Sequence, residues 1–292
     1  MALGNQFEQN LKIRSATQLP LQVKLLIVGF FLAFLLLMFR SSFLPSSQNN
    51  PSSPIPEIKS TATCNKIPSP LIQALIHYAT SNTTPQQTFK EISVSARVLD
   101  KKSPCNFLVF GLGYDSPLWS SLNYGGRTVF LDEDESWIRL IKDKFPDLEV
   151  YHVGYDTKVR DAENLLRIGK EKECAVVSDG KNSKCQLMLK TLPEAVYEVE
   201  WDLIMVDAPT GFHDEAPGRM GAIYTAGMMA RYRKEGETDV FVHDVNRVVE
   251  DKFSKTFLCE GYMKEQEGLI RHFTIPSHRD SPDMPFCPSS ST

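Results

Sequence analysis

Three side chains able to relieve a hydroxyl of its proton, Asp207, His243 and Asp244, stand at the ends of two short apolar runs. The runs are Trp201 to Val206 and Asp239 to His243. Their composition suits strands of a parallel sheet buried on both faces, and such sheets carry their sites outside the carboxyl ends of the strands. A carboxylate or imidazole placed there can serve as general base to a poor nucleophile. Asp207 is the first choice, because its strand should lie beside the strand that opens the glycine-rich motif described next. Asp207, Asp244 and Asn246 can alternatively be read as oxygen ligands of a divalent cation. His243 can alternatively be a structural histidine bonded to a loop carbonyl.

The glycine-rich motif runs from Asn106 to Glu133. Phe107 to Phe110 is wholly apolar, and Gly111 and Gly113 follow at once, allowing a sharp turn and close approach to a ligand. Ser116-Pro117 reads as an N-cap followed by proline at the first helical position. A second apolar run, Thr128 to Leu131, ends in Asp132 and Glu133, about 20 residues past the glycines, where a nucleotide-binding βαβ unit keeps its ribose-binding acid. Ser116 stands where a dinucleotide fingerprint needs its third glycine, which disfavours a nicotinamide cofactor. S-adenosylmethionine has no pyrophosphate to cradle, and a looser Gly-x-Gly with a downstream acid suffices for it.

The elements that must position these groups alternate in type. Helices are expected from Ser69-Pro70 and from Thr84-Pro85, the second with Phe89, Ile92, Ala96 and Leu99 on its apolar face. Further helices are expected at 136–145, 162–168, 218–232 and 250–257, a strand at 149–153, and a closing hairpin around Glu267-Gly268. Strands alternating with helices imply an α/β doubly wound, mostly parallel sheet, and the hairpin adds an antiparallel C-terminal edge, as in Rossmann-like S-adenosylmethionine-dependent methyltransferases. The loop from Phe212 to Met220, after the fourth strand, is placed to meet an acceptor. Within it His213 and Arg219 are candidate contacts, and Arg219 can pair bidentately with a carboxylate on the acceptor or internally with Asp214 or Glu215.

The chain of 292 residues has a net charge of -4, which argues against a nucleic-acid partner. Leu25 to Phe39 is uninterrupted apolar sequence preceded by Lys12, Arg14 and Lys24, so a membrane anchor with a cytoplasmic N-terminus is expected. The expected layout is a cytoplasmic tail at 1–20, a signal anchor at 21–40, a flexible Ser- and Pro-rich stem at 41–60 and a catalytic domain at 61–288. That order describes a single-pass type II protein of the Golgi membrane with its catalytic domain in the lumen. Cys64, Cys105, Cys174, Cys185, Cys259 and Cys287 all lie beyond the anchor, where disulfides form, and Cys174 with Cys185 is the pair that proximity suggests. Asn82-Thr-Thr84 is a glycosylation sequon usable in that compartment.

Four blocks carry a family resemblance: Phe107 to Ser116, Val206 to Met220, Val242 to Arg247 and Arg271 to Pro276. They closely resemble the plant glucuronoxylan 4-O-methyltransferases, the polysaccharide-biosynthesis branch of the family formerly called domain of unknown function 579. The resemblance spans roughly Cys64 to Cys287. It implies S-adenosylmethionine as donor and O-4 of glucuronic acid side chains on xylan as acceptor, in a Golgi type II enzyme. It places Gly111 and Gly113 in the donor loop, Asp132 or Glu133 at the ribose, and Asp207 with the His213 to Arg219 loop in the acceptor region. The irregular-xylem sister branch has altered motifs, whereas this chain keeps Asp207-Ala-Pro-Thr-Gly211, as the active branch does. Methylation of arabinogalactan glucuronic acid and a non-catalytic lumenal role in xylan synthesis are the alternative expectations.

Overall fold

The computed structural model describes residues 67–280 and 284–288. The expected tail, anchor and stem, and Cys64, lie outside the described residues. Among the described residues no helix is long and apolar enough to cross a membrane.

Seven strands form one sheet: β1 (Asn106–Phe110), β2 (Arg127–Asp132), β3 (Glu149–His152), β4 (Leu203–Val206), β5 (Glu237–Val242), β6 (Met263–Glu267) and β7 (Ile270–Pro276). Their order is β3-β2-β1-β4-β5-β7-β6. The first five are parallel, and β7 runs antiparallel to both β5 and β6. This is the doubly wound sheet with an antiparallel C-terminal hairpin expected of a Rossmann-like S-adenosylmethionine-dependent methyltransferase. The order reverses between β1 and β4, so the crevice for a ligand opens above Gly111 and Asp207.

The helices are α1 (Ser69–Thr80), α2 (Phe89–Lys102), α3 (Ser116–Leu122), α4 (Glu135–Lys144), α5 (Ala162–Ile168), α6 (Lys172–Ala175), α7 (Glu194–Tyr197), α8 (Met220–Tyr232) and α9 (Val248–Phe253). A π-helical turn, Ser254–Cys259, continues α9. The apolar strands are buried on both faces because their side chains alternate between two cores. Leu108, Phe110, Ile204 and Val206 pack into one core with α8, and Phe107, Val109, Leu203 and Met205 into the other. Each such side chain contributes roughly 1.5–3 kcal/mol by leaving water. Helix α8 is buried nearly all round, as an apolar helix without a charged stripe must be.

One boundary departs from expectation with consequences for the site. Helix α2 begins at Phe89, not at Thr84-Pro85, because Thr88 and Glu91 form a reciprocal capping box. Phe89, expected on the apolar face, is 86% exposed. Residues 84–88 therefore remain outside the helix and carry Gln87 over the sheet.

Candidate active site

The carboxyl ends of β1, β2, β4 and β5 surround a cavity of about 1110 Å³. One side of it is built from the β1–α3 turn. Gly111 adopts φ +131, in the region that favours glycine, and its amide donates to Leu131 O at 2.7 Å. Asp132 braces this turn, one oxygen accepting the Leu112 amide at 3.2 Å and the other the Asp134 amide at 3.0 Å. Burial pushes the Asp132 carboxyl up to about 6. Glu133 also lines the cavity and accepts the Thr210 amide at 3.0 Å, joining the β2 and β4 loops.

Ser116 lies in the first turn of α3 rather than at its N-cap, which is Asp115. The Ser116 hydroxyl accepts the Gly113 amide at 2.9 Å, so a side chain holds the turn where a third glycine would have allowed closer packing.

The ends of β4 and β5 hold a charged cluster. His243 Nδ1 lies 3.0 Å from Asp207 Oδ1 and 3.7 Å from Asp244 Oδ1. Arg219, only 3% exposed, reaches Asp207 at 3.3 Å and Asp244 at 3.0 Å. Its Nε donates to Pro209 O at 2.8 Å, and Nη1 donates to His243 O at 3.2 Å. Gln87 Nε2 stands 3.4 Å from the second Asp207 oxygen. Asp244 adopts φ 61, unusual for a residue with a side chain, and Arg247 holds its Oδ2 at 2.9 Å.

Burial alone would raise the Asp207 pKa, but the His243 hydrogen bond and the Arg219 charge outweigh it and hold the carboxyl below its ordinary value. Burial likewise opposes a charged His243, yet the bond to Asp207 and the two nearby carboxylates raise its pKa above the ordinary value. With Nδ1 engaged by Asp207, His243 Nε2 is buried and has no partner. Gln87 Oε1 is likewise unpartnered. The arrangement can accept a proton at Nε2 while Asp207 steadies the imidazolium that results.

Asp207, His243 and Asp244 converge as the sequence suggested, as do Gly111, Gly113, Asp132 and Glu133 on the same cavity. Asn246 does not join them; it is exposed, and a cation-type cluster would be Asp207, His243 and Asp244, whose ligand atoms lie within 4.8 Å of one another. His213 is exposed against Phe212 and outside the cavity lining. Arg219 pairs internally, but with Asp207 and Asp244 rather than with Asp214 or Glu215. Glu215 instead meets Lys158 and Arg160. The guanidinium is thus committed to the cluster and is not a free clamp for an acceptor carboxylate. Glu250, fully buried 3.7 Å from Arg219 Nε, was not apparent in the sequence and has its pKa raised by burial. Gln87 was also missed, although Thr88-x-x-Glu91 is a legible capping box that places the helix start after it.

The IRX15/IRX15L/GXM family model matches residues 90–273, which contain every group in this cluster except Gln87. The chain belongs to that family. Relatives from Arabidopsis thaliana include glucuronoxylan 4-O-methyltransferase 1, 63% identical over 91% of this chain and 97% of that protein. Glucuronoxylan 4-O-methyltransferase 3 is 57% identical over 94% and 98%. Arabinogalactan O-methyltransferase 2 is 50% identical over 74% and 77%. The cluster around His243 is therefore a feature of a family member, and the two glucuronoxylan methyltransferase relatives align over nearly their whole length.

Proposed function

We propose that this family member transfers a methyl group from S-adenosylmethionine to O-4 of glucuronic acid side chains of xylan. The observation that carries the chemistry is the unpartnered His243 Nε2, held by Asp207 in the cavity above the β1–β4 switch point. The acceptor is taken from the glucuronoxylan relatives, at 63% and 57% identity.

The residues fit the donor. Asp115, Asp132, Glu133, Asp134, Asp207 and Asp244 line the cavity, a set that favours a cationic ligand. Asp132 and Glu133 would take the ribose hydroxyls, and Gly111, at φ +131, supports the turn beside them. When bound, S-adenosylmethionine supplies an electrophilic methyl on a sulfonium.

The rest is positioning and proton transfer. His243 Nε2 would take the proton of the acceptor hydroxyl, and Asp207 would stabilise the charge gained. The donor would supply the methyl and leave as the thioether, S-adenosylhomocysteine, and the chain's own part would be to hold the hydroxyl in position. Asp207, the first choice as base from sequence, becomes the group that orients His243, since its oxygens face His243, Arg219 and Gln87.

A second reading has geometric support: Asp207, His243 and Asp244 as ligands of a divalent cation that activates the hydroxyl. Arg219 and Arg247 between them already balance the two carboxylates, which favours the metal-free base. Purified residues 41–292 with donor and either glucuronoxylan or arabinogalactan test the function by mass shift, with and without chelator. Methylation of glucuronoxylan that survives chelator is expected. Transfer to arabinogalactan alone overturns the acceptor, and activity abolished by chelator and restored by metal overturns the base.

The proposal includes the setting: a Golgi type II anchor with the catalytic domain lumenal. Lys12, Arg14 and Lys24 ahead of Leu25 support it, as do the paired cysteines. Protease protection of the C-terminal domain in sealed vesicles is the expected result, and digestion from the cytosolic side overturns it.

A further inference from the structure

A second cavity of about 570 Å³ adjoins the first, and His77, Ser81 and Thr83 line both. Its chemistry differs. Among the described residues no carboxylate lines it, whereas six line its neighbour. Its polar groups include the amide of Gln73, the imidazole of His77, the hydroxyls of Thr80, Ser81 and Thr83 and the ammonium of Lys144, while Asn82, which also lines it, is the sequon asparagine. Lys144 also joins the two spaces, with Nζ 3.3 Å from the Tyr114 hydroxyl and 4.5 Å over the Tyr114 ring, and Tyr114 lines the first cavity.

An acceptor that is a polymer must leave the first cavity along some path. Its neighbouring units carry many hydroxyls and, at intervals, further carboxylates. A wall of an amide, hydroxyls and one ammonium matches sugar hydroxyls and attracts those carboxylates.

We propose that the second cavity is a subsite for the β-linked pentose backbone flanking the reacting glucuronic acid, and that Gln73, Thr80 and Lys144 set the preference for polymer over short acceptors. This rests on the acceptor class proposed above. The binding energy is placed away from the reacting atoms, so it governs acceptor capture rather than the proton transfer at His243.

The test compares polymeric glucuronoxylan with an oligosaccharide carrying a single glucuronic acid, in wild type, Gln73→Ala/Lys144→Ala and Thr80→Trp. Binding of unsubstituted xylo-oligosaccharide is measured by calorimetry in parallel. Each variant should raise KM for polymer about tenfold, the effect of one or two lost hydrogen bonds, with kcat and donor-analogue affinity held. KM for the short acceptor should move by less than about twofold, and xylo-oligosaccharide binding seen in wild type should disappear in both variants. If both KM values move together, or neither moves, the subsite is overturned. If wild type methylates no glucuronoxylan, the function fails instead, and calorimetry still decides the subsite: absent binding in wild type, or binding undiminished in the variants, overturns it.

Discussion

A buried imidazole bonded through Nδ1 to a partly buried carboxylate keeps its other nitrogen available, and among the described residues His243 Nε2 has no partner. The sign of the pH dependence follows. A base works unprotonated, and the His243 pKa is raised, so the rate should fall as pH drops through a value above the ordinary 6.5. In Asp207→Asn the partner charge is gone, so the acid limb should move to lower pH while the maximal rate also falls. His243→Gln should lower kcat by about 10²–10⁴-fold with donor-analogue binding retained, by calorimetry. An unchanged pH profile in Asp207→Asn would show that the pair does not act together. Arg219 makes a different prediction, since its removal takes the buried cation from Asp207 and leaves Asp244 with Arg247 alone as its arginine partner. Arg219→Met should destabilise by about 3–5 kcal/mol in denaturant titration.

At the scale of elements, short polar ties hold the sheet edge and the helix that covers it. Glu91 caps α2 through the Thr88 amide and accepts the Leu269 amide from the β6–β7 turn, both at 2.6 Å. Thr88→Ala should cost about 1 kcal/mol by losing the cap alone. Glu91→Ala should cost more, because it also leaves Leu269 without its partner. Asp239 on β5 binds His272 and Thr274 of β7, each at 2.7 Å, and Lys102 of α2 at 2.5 Å. Burial opposes its charge, but these partners win and bring its pKa down from 3.8 to about 2. A depressed folded pKa means stability present above 3.8 and lost as pH falls through about 2. Asp239→Asn should remove that part of the acid sensitivity, read as a flatter dependence of unfolding free energy on pH between those values.

At the scale of the whole molecule, two disulfides among the described residues join segments that the sheet does not. Cys174 pairs with Cys185, and Cys259 with Cys287. The second fastens the C-terminal segment beside Arg231, whose guanidinium lies 4.0 Å from the Phe286 ring and donates to Phe286 O. Cys105 is unpaired among the described residues, and burial raises its thiol to about 11. Non-reducing peptide mapping should return those two pairs. Cys259→Ser/Cys287→Ser should lower stability by about 3 kcal/mol, the loop-closure effect expected for a crosslink of this span. Equal stability with and without reductant would contradict it.

What the sequence determined was the sheet and the groups at its tips. Apolar runs such as Phe107 to Phe110 and Leu203 to Val206 are legible because a strand buried on both faces admits no polar residue, and the glycines and acids come directly after them. The Cys174–Cys185 pair was legible for the same reason of nearness along the chain. Partnership between distant segments was not. Gln87 reaches Asp207 across 120 positions, and Arg219 meets carboxylates on two different loops. A charged residue in a loop looks alike in sequence whether it faces solvent or is buried as a counter-ion. His213 was therefore expected at the acceptor and is exposed outside the cavity, while Glu250 gave no sign of its burial. The choice of His243 over Asp207 as the open base also depends on which atoms their neighbours already occupy, and only the tertiary structure decides that.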